Sequence, residues 1–212
     1  MHKRWKLVLF FMAFTCLAFA QPKGFTILQN DSSFRNKLAQ TAKKTQTIKS
    51  EFTQEKNLNV LSEKITSKGL FKFKKNNKVR MEYTQPFKYL LVINGDKVMI
   101  KDAQKTNSFS SRSNKLFTVV NNIIIDCVQG TAPENKEFKS VVFKNDKSYL
   151  LQLTPVKKEM KEYFATISLY LDTKECSVVR IEMLEPSGYT TIINFINKEI
   201  NAIIPDTDFT IY

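Results

Sequence analysis

From residue 48 onward the chain is a succession of short strand-like segments separated by turns, and this pattern constrains the fold more than any other feature. Short strands joined by tight turns pair in antiparallel fashion, and Asn94-Gly95 is typical of a two-residue hairpin turn. Several strands, residues 89–93 for example, are apolar on both faces. Two short helices cannot cover both faces of a flat sheet, so we expect the sheet to curl toward a barrel. The inside of such a barrel must be filled by side chains, helices or a ligand.

Two helices interrupt the strands. Residues 31–33 form a helix-start pattern, and Phe34, Leu38 and Ala42 follow at helical spacing. A second helix is predicted over residues 115–128, where apolar side chains recur at steps of three and four residues. This second helix is unusually apolar for a surface helix. The predicted strands span residues 48–55, 68–75, 78–83, 89–94, 97–102, 137–143, 149–154, 164–172, 177–184 and 190–197, and a last edge strand spans residues 209–212.

The first twenty residues have the features of a secretory signal peptide. A basic start precedes an apolar run over residues 7–19, which is too short to span a bilayer, and Ala18-Phe19-Ala20 supplies the small-residue pattern that signal peptidase cleaves. We therefore predict a cleaved signal peptide over residues 1–20 and a single domain over residues 21–212 that is exported from the cytoplasm. Lipidation of Cys16 is the alternative, but Phe14 is bulky where a lipoprotein signal has a small residue.

The charge of the exported chain favours a solvated surface over a nucleic-acid site. Removal of Lys3, Arg4 and Lys6 lowers the formal net charge from +13 to +10. The remaining basic residues are scattered, and most alternate with apolar residues along the predicted strands. That pattern is typical of the solvated face of a sheet. We therefore expect no nucleic acid as a partner, and a weak attraction to anionic lipid or to an acidic protein.

The exported chain contains no histidine, because the only one is His2. Histidine is the commonest general base and the commonest metal ligand, so we expect neither an enzyme, nor a metal site, nor a cofactor. Catalysis would need a carboxylate pair such as Glu159 and Glu162, which we expect on a solvated loop. Cys127 and Cys176 could form a disulfide in an oxidising compartment, or they could be two separate buried thiols.

Several sequence blocks resemble the LolA family of outer-membrane lipoprotein carriers. Residues 69–75 (GLFKFKK) and 79–83 (VRMEY) resemble its aromatic strand, its basic turn and the following strand with Arg, an aromatic residue, Glu and Tyr. No single block is specific, but the blocks occur in the family's order behind a signal peptide, and the resemblance covers roughly residues 34–212. The further blocks are residues 52–54, 91–97, 153–155, 164–171 and 191–195.

The resemblance implies an α+β fold in which about eleven strands form an unclosed antiparallel β-barrel, with helices as a lid over an apolar cavity. It also implies a monomeric periplasmic chaperone. Such a carrier accepts acylated lipoproteins from an inner-membrane lipoprotein-releasing ABC transporter and delivers them to an outer-membrane acceptor. Two alternatives share the fold: a LolB-like receptor anchored to the membrane through Cys16, and a periplasmic sensor of lipids or lipoproteins. Such sensors usually carry a second domain, for which we expect no room here.

The resemblance and the two-residue period of strands together predict the site. Lys75 stands where the family has an Arg that hydrogen-bonds the lid shut, so Lys75 is the candidate lid latch, although lysine lacks the donor fork of arginine. By strand parity alone, the residues that share its face could be ordinary core; the resemblance favours a cavity wall. The predicted wall comprises Phe52, Phe71, Phe73, Val79, Met81, Tyr83, Leu91 and Ile93, and the predicted lid comprises Leu116, Val120, Ile123 and Ile124.

Overall fold

The computed structural model describes residues 21–58, 63–113 and 115–212, without the side chains of residues 63, 115–117, 120 and 121. The predicted signal peptide and Cys16 lie outside the described residues. The strands are β1 Thr26–Ile27, β2 Thr47–Leu58, β3 Glu63–Lys74, β4 Lys78–Gln85, β5 Tyr89–Asn94, β6 Lys97–Lys101, β7 Thr106–Ser110, β8 Phe138–Lys144, β9 Ser148–Pro155, β10 Thr166–Asp172, β11 Val178–Leu184 and β12 Thr190–Ile200. The helices are α1 Ser32–Lys44, α2 Lys115–Gln129 and α3 Lys158–Lys161, and short 3-10 turns cover Ser111–Ser113, Ala132–Glu134 and Asp206–Phe209.

All twelve strands belong to one antiparallel sheet, in the order β1-β8-β9-β10-β11-β12-β2-β3-β4-β5-β6-β7. Strands that are neighbours in sequence are mostly neighbours in space, and the pairing of β12 with β2 joins the two halves of the chain. In the described residues β1 and β7 are the free edges, so the sheet is curled but not closed. The predicted unclosed antiparallel architecture with helices is therefore confirmed.

The sheet has one strand more than the resemblance implies, and the sequence pattern missed its two edges. The first edge, β1, is only two residues long, and β7 has the sequence TNSFS, which lacks an apolar alternation. The expected loop around Glu159 is also wrong in detail, because Lys158–Lys161 form one turn of helix. Both Glu159 and Glu162 are exposed, as expected.

The predicted edge strand at residues 209–212 is wrong. These residues belong to a C-terminal strap, residues 202–212, which crosses the outer face of the sheet instead of pairing with it. Phe209 is fully buried there against Val92, Met99 and Ile204. Ion pairs hold the same segment, with Asp208 2.8 Å from the ammonium of Lys72 and Asp206 within 3.0 Å of those of Lys74 and Lys78. The alternating sequence FTIY resembles a strand, but the burial of one aromatic ring and the ion pairs determine its path.

The two predicted helices are present and lie on the inner side of the sheet. Helix α1 buries Phe34, Leu38 and Ala42, which were predicted to share its inward face. Asp31 precedes α1 as expected, but its carboxylate pairs with Arg35 at 2.8 Å and makes no capping bond. Helix α2 ends before Gly130, whose φ of 71° suits glycine at a helix C-terminus. None of the helices in the described part of the chain is long and apolar enough to cross a membrane.

The core consists of two inner clusters that share the concave side of the sheet. The first packs α1 against β8–β11, and Phe34, Leu151 and Leu169 are among its most deeply buried members. The second consists mainly of residues from β2–β6, with Phe52 and Phe73 among them, and includes Ile193 of β12. Helix α2 contacts both clusters, because it contributes Val119, Ile123 and Cys127 to the first and packs Ile124 and Val128 against the second.

Candidate functional site

An apolar cavity of about 230 Å³ lies between the concave face of the sheet and the two long helices. One wall consists of side chains from β2–β5, a second comes from β11 and β12, and the cover is formed by α1 and α2. The apolar lining comprises Leu38, Ala42, Ile48, Phe71, Met81, Leu91, Ile123, Ile124, Val128, Val178, Ile181, Met183, Ile193, Phe195 and Ile200.

The register of β3 and β4 explains how the first wall forms. Phe71 pairs with Met81 and Phe73 pairs with Val79, so successive inward side chains stand side by side on the two strands. Arg80 lies on the opposite face, where its guanidinium donates to the Asp208 carbonyl at 3.1 Å. The ring of Phe71 meets that of Phe195 edge-on across the cavity, with centroids 5.2 Å apart. This contact joins the walls from the two halves of the sheet.

A glycine makes room for the ring of Phe52, which packs behind this wall. A Cβ on Gly69 would lie 2.2 Å from the Glu82 carbonyl oxygen and 2.7 Å from the ring of Phe52. The side chain of Phe52 therefore occupies the space that residue 69 would otherwise fill. Phe52 is 1% exposed and packs edge-on against Tyr83 at 5.0 Å.

Polar groups enter the cavity at only a few described positions. The hydroxyl of Tyr83 donates to Gln54 Oε1 at 2.9 Å, and burial raises the pKa of Tyr83 to about 12, with a smaller effect from Tyr89. The hydroxyl is therefore protonated at neutral pH. At the other end of the strands, Lys198 and Ser177 contribute the remaining polar wall, together with Thr41 and Thr45 at the C-terminal end of α1.

Lys75, the candidate latch, contacts a helix carbonyl. Its ammonium donates to the carbonyl of Lys43 at 3.0 Å, in the last turn of α1, while its own backbone N–H donates to the carbonyl of Gln46 at 2.9 Å. A cation at the C-terminus of a helix is favourably placed relative to the helix dipole. The contact joins β3 to α1; its role in holding a lid is still a prediction.

The two cysteines both line the cavity and both are free. Of the two alternatives, the separate buried thiols are what the structure contains, so a disulfide between Cys127 and Cys176 is not formed. Burial raises the pKa of the Cys176 thiol to about 11, and it raises the pKa of Cys127 further, with a contribution from the charge of Asp126. The thiols therefore behave as small apolar groups in the wall. Within the described residues no three His, Cys, Asp or Glu side chains cluster as metal ligands.

Comparison with known protein families gives one match that covers most of this architecture. The sequence profile of the family described as outer membrane lipoprotein carrier protein LolA matches residues 43–212. The chain belongs to the LolA family. This match includes all twelve strands except β1, together with α2 and all of the cavity lining except three α1 residues. A comparison with curated proteins gives no match.

Solved structures similar to this LolA-family chain share little sequence with it. A protein from Thermus thermophilus, described as an uncharacterized conserved protein, is 8% identical, with 86% of this chain and 94% of that chain covered and a TM-score of 0.51. A LolA superfamily protein from Nitrosomonas europaea is 10% identical, with 84% and 96% covered and a TM-score of 0.45. The lipoprotein LppX from Mycobacterium tuberculosis is 9% identical, with 83% and 99% covered and a TM-score of 0.45.

The two-residue alternation of the strands, together with the resemblance, placed all eight predicted wall residues on the correct face of the sheet. It did not predict which of them border the cavity. Four of them line the cavity, namely Phe71, Met81, Tyr83 and Leu91. The other four, Phe52, Phe73, Val79 and Ile93, are buried in the packing behind it. Of the predicted lid, Ile123 and Ile124 line the cavity, whereas the side chains of Leu116 and Val120 lie outside the described ones. That any of these residues binds a ligand is still a prediction.

The wall opposite Phe71 was not predicted from the sequence. Ile181 and Met183 of β11 pair with Ile193 and Thr191 of β12, and most of these inward side chains line the cavity. Their two-residue alternation is visible in the sequence and could have identified them. Lys198 was missed as well, and strict alternation along β12 would have placed it on the outer face.

Proposed function

We propose that this LolA-family chain is a periplasmic carrier that binds the acyl chains of lipoproteins in its apolar cavity. In this proposal it accepts acylated lipoproteins from an inner-membrane lipoprotein-releasing ABC transporter, passes them to an outer-membrane acceptor, works as a monomer and catalyses no reaction. The observation that carries the proposal is the cavity between α2 and the concave face of the sheet, lined mostly by apolar side chains. Family membership supports the choice of lipoprotein as cargo.

The cavity must enlarge before it can hold the proposed cargo. Its volume of about 230 Å³ is below the roughly 300–1,000 Å³ of pockets that bind drug-sized ligands. A lipoprotein with several acyl chains therefore needs a larger space. Ile123, Ile124 and Val128 of α2 lie between the two core clusters, so a movement of α2 away from the sheet would enlarge the cavity directly.

Release of the cargo also requires the lid to return. Burial of hydrocarbon is worth about 0.8 kcal/mol per CH₂, so several long chains would gain tens of kcal/mol if they entered an empty cavity permanently open to water. Such cargo could not leave. If cargo instead displaces apolar side chains of α2, their return to the wall offsets most of this gain. A lid as apolar as α2 therefore makes both loading and release feasible.

The direct test is the identity of what occupies the cavity. We expect native mass spectrometry of the protein, purified from its own periplasm, to detect an acylated lipoprotein in a one-to-one complex. Phe71→Glu places a carboxylate in the apolar wall and should abolish this complex. Leu70→Glu is the matched control, because Leu70 is the preceding residue on β3, faces outward and is 40% exposed.

Equal loss of the complex in both variants, with both still folded by circular dichroism, would contradict the proposed site. A protein that carries no acylated species under these conditions, and takes none from inner-membrane vesicles containing the transporter, would contradict the proposed function.

A further inference from the structure

The final strand, β12, changes the face that it presents to the cavity halfway along its length. Ile193 and Phe195 line the cavity, so strict alternation would place Asn197 there next. The pairing with β2 shifts register between Ile196 and Glu199, and Asn197 has a φ of 53°. After this bulge the inward residues are Lys198 and Ile200. Bulges of this kind redirect side chains next to functional sites.

The bulge turns the ammonium of Lys198 toward a wall that is otherwise mainly apolar. The Nζ atom donates to the hydroxyl of Ser177 and to the carbonyl of Val178, the latter at 3.1 Å. An ammonium has three N–H donors, and these described contacts use two of them. The position is partly buried, and the resulting desolvation lowers the pKa of Lys198, whereas the charges of Asp172 and Glu175 act in the opposite direction.

The carboxylate of Asp172, whose charge acts on Lys198, already accepts hydrogen bonds from other groups. Asp172 accepts hydrogen bonds from the hydroxyl of Ser177 at 2.8 Å and from the backbone N–H groups of residues 174, 175 and 177. Among the described contacts it therefore reaches Lys198 through the hydroxyl of Ser177. A second cation, Lys37 of α1, donates to the carbonyl of Thr173 at 2.6 Å in the same turn.

The polar and apolar parts of the cavity lie in a line along β12. Ile193 is paired with Gln54, and Lys198 follows five residues later, which corresponds to about 16 Å at 3.3 Å per residue before the bulge shortens it. The wall between them is formed by Ile193, Phe195 and their neighbours. An elongated ligand along this strand would therefore have its apolar chain against isoleucine and phenylalanine and one end at Lys198.

We propose that Lys198 binds the anionic head group of an acyl-chain ligand, either a carboxylate or a phosphate. The third N–H of the ammonium supplies a charge-assisted hydrogen bond to the head group. The hydroxyls of Thr41, Thr45 and Ser177 lie in the same part of the lining, but they already donate to the Glu175 carbonyl, the Thr41 carbonyl and the Asp172 carboxylate, so Lys198 is the donor that the head group uses. The cavity thereby selects anionic amphiphiles over neutral ones with the same chain. This inference rests on the proposed function, because it requires that the cavity accepts acyl chains. The ester- and amide-linked chains of a lipoprotein carry no such head group, so the anionic amphiphile is a second class of ligand for the same cavity.

The test is a competition with ligands that differ only in the head group. Dodecanoate, dodecyl phosphate and dodecanol are each titrated against the purified protein loaded with the uncharged fluorescent probe N-phenyl-1-naphthylamine. The displacement of the probe at neutral pH gives the dissociation constant of each ligand. We expect both anions to bind about tenfold more tightly than dodecanol, the usual effect of one charged hydrogen bond. The ratio of the dissociation constants of dodecanoate and dodecyl phosphate shows whether a carboxylate or a phosphate is the preferred head group.

Three variants assign the preference to Lys198. Lys198→Met keeps an unbranched side chain but removes the charge, so the ratio of the affinity for each anion to the affinity for dodecanol should fall to about one in this variant. Lys198→Arg should keep the preference. Lys68→Met is the matched control, because Lys68 is an exposed lysine on the outer face of β3, and it should change nothing.

Each outcome separates the inference from the proposed function. The role of Lys198 in binding the head group is contradicted if the native protein binds anions and dodecanol equally, or if Lys198→Met keeps the preference for anions. Neither result contradicts the acyl-chain cavity. If none of the three ligands displaces the probe, both the proposed binding of acyl chains in the cavity and the role of Lys198 are contradicted. Should Lys198→Met not fold, the native ratio and Lys198→Arg still decide the result.

Discussion

The two buried thiols allow the opening of the cavity to be measured without a foreign label. Cys127 lies on α2 and Cys176 lies beside the β10–β11 turn, and both line the cavity. Single-cysteine variants, Cys127→Ala and Cys176→Ala, each with Cys16→Ser, report on the two sides separately. We expect each thiol to react with a soluble disulfide reagent far more slowly in the folded protein than in the unfolded one, because only the thiolate reacts.

The magnitude follows from the raised pKa of Cys176. With a pKa of about 11, the thiolate is about 0.1% of the molecules at about pH 8, compared with about 10–25% for an ordinary thiol. The folded-state rate should therefore be about 100-fold below the unfolded-state rate from ionisation alone. The greater nucleophilicity of a thiolate with a raised pKa offsets about tenfold of this, and steric protection acts in the opposite direction, so we expect a rate at least about tenfold lower. Cys127 is more deeply buried and its pKa is raised further, so it should react more slowly than Cys176.

The assay is stopped-flow absorbance of the released reporter thiolate, with the rate measured at several pH values. The rate for Cys176 should rise about tenfold per pH unit until the pH approaches its pKa. Dodecanoate should slow it further if the ligand fills the same space. A folded-state rate equal to or above the unfolded one would refute the reasoning, as would a double-cysteine protein whose thiols become reactive only after reduction.

Three further predictions concern contacts around the cavity. Lys75→Leu removes the bond to the Lys43 carbonyl and should lower the free energy of unfolding by about 1 kcal/mol, a low value because the side chain is partly exposed; unchanged hydrogen exchange in the last turn of α1 would contradict this. Gly69→Ala forces a Cβ into the Glu82 carbonyl and should cost about 1–3 kcal/mol in urea unfolding, whereas Ser67→Ala on the same strand should cost little. Hydrogen bonds from Lys78 and Lys74 lower the pKa of Asp206, so this carboxylate contributes stability at neutral pH that is lost as the pH falls through its folded-state pKa, below the usual carboxylate range. Asp206→Asn should remove that part of the acid dependence, measured as the hydrogen-exchange protection of the C-terminal strap.

The periodicity of the sequence was sufficient for the overall architecture. The strands around Phe71 and Met81 alternate cleanly, and their register follows from a short turn, so their inward face could be derived from residue order alone. Helix α2 was predicted despite three consecutive isoleucines, because its apolar residues recur at three- and four-residue steps. In both cases the spacing of apolar residues along the chain and the need to bury those residues favour the same structure.

Depth, edges and bulges could not be derived in this way. The two-residue alternation of β3 gives the face on which Phe73 lies. It does not tell whether Phe73 borders the cavity or packs behind it, because that depends on how strongly the sheet curls. The bulge at Asn197 reverses the parity of β12, and a positive φ at asparagine is permitted in many settings. The strap was misread because residues 209–212 alternate like a strand, whereas contacts with β3–β6 that are distant in sequence fix it outside the sheet.

The division of α2 between the two core clusters bears on how a lid can open without detaching. Val119, Ile123 and Cys127 pack into the cluster that contains Phe34 and Leu38, while Ile124 and Val128 pack toward the cluster that contains Phe71. Gly130, at the end of α2, approaches α1 so closely that a Cβ there would lie 3.0 Å from the Leu38 carbonyl oxygen. In the proposed mechanism, an acyl chain that enters beside Phe71 competes mainly with the contacts of Ile124 and Val128, while Ile123 and Cys127 border the same cavity from the first cluster. We therefore expect α2 to swing away from the β2–β6 wall on loading while its packing on α1 keeps it attached, and we expect the retained contacts to bring it back when the proposed cargo leaves.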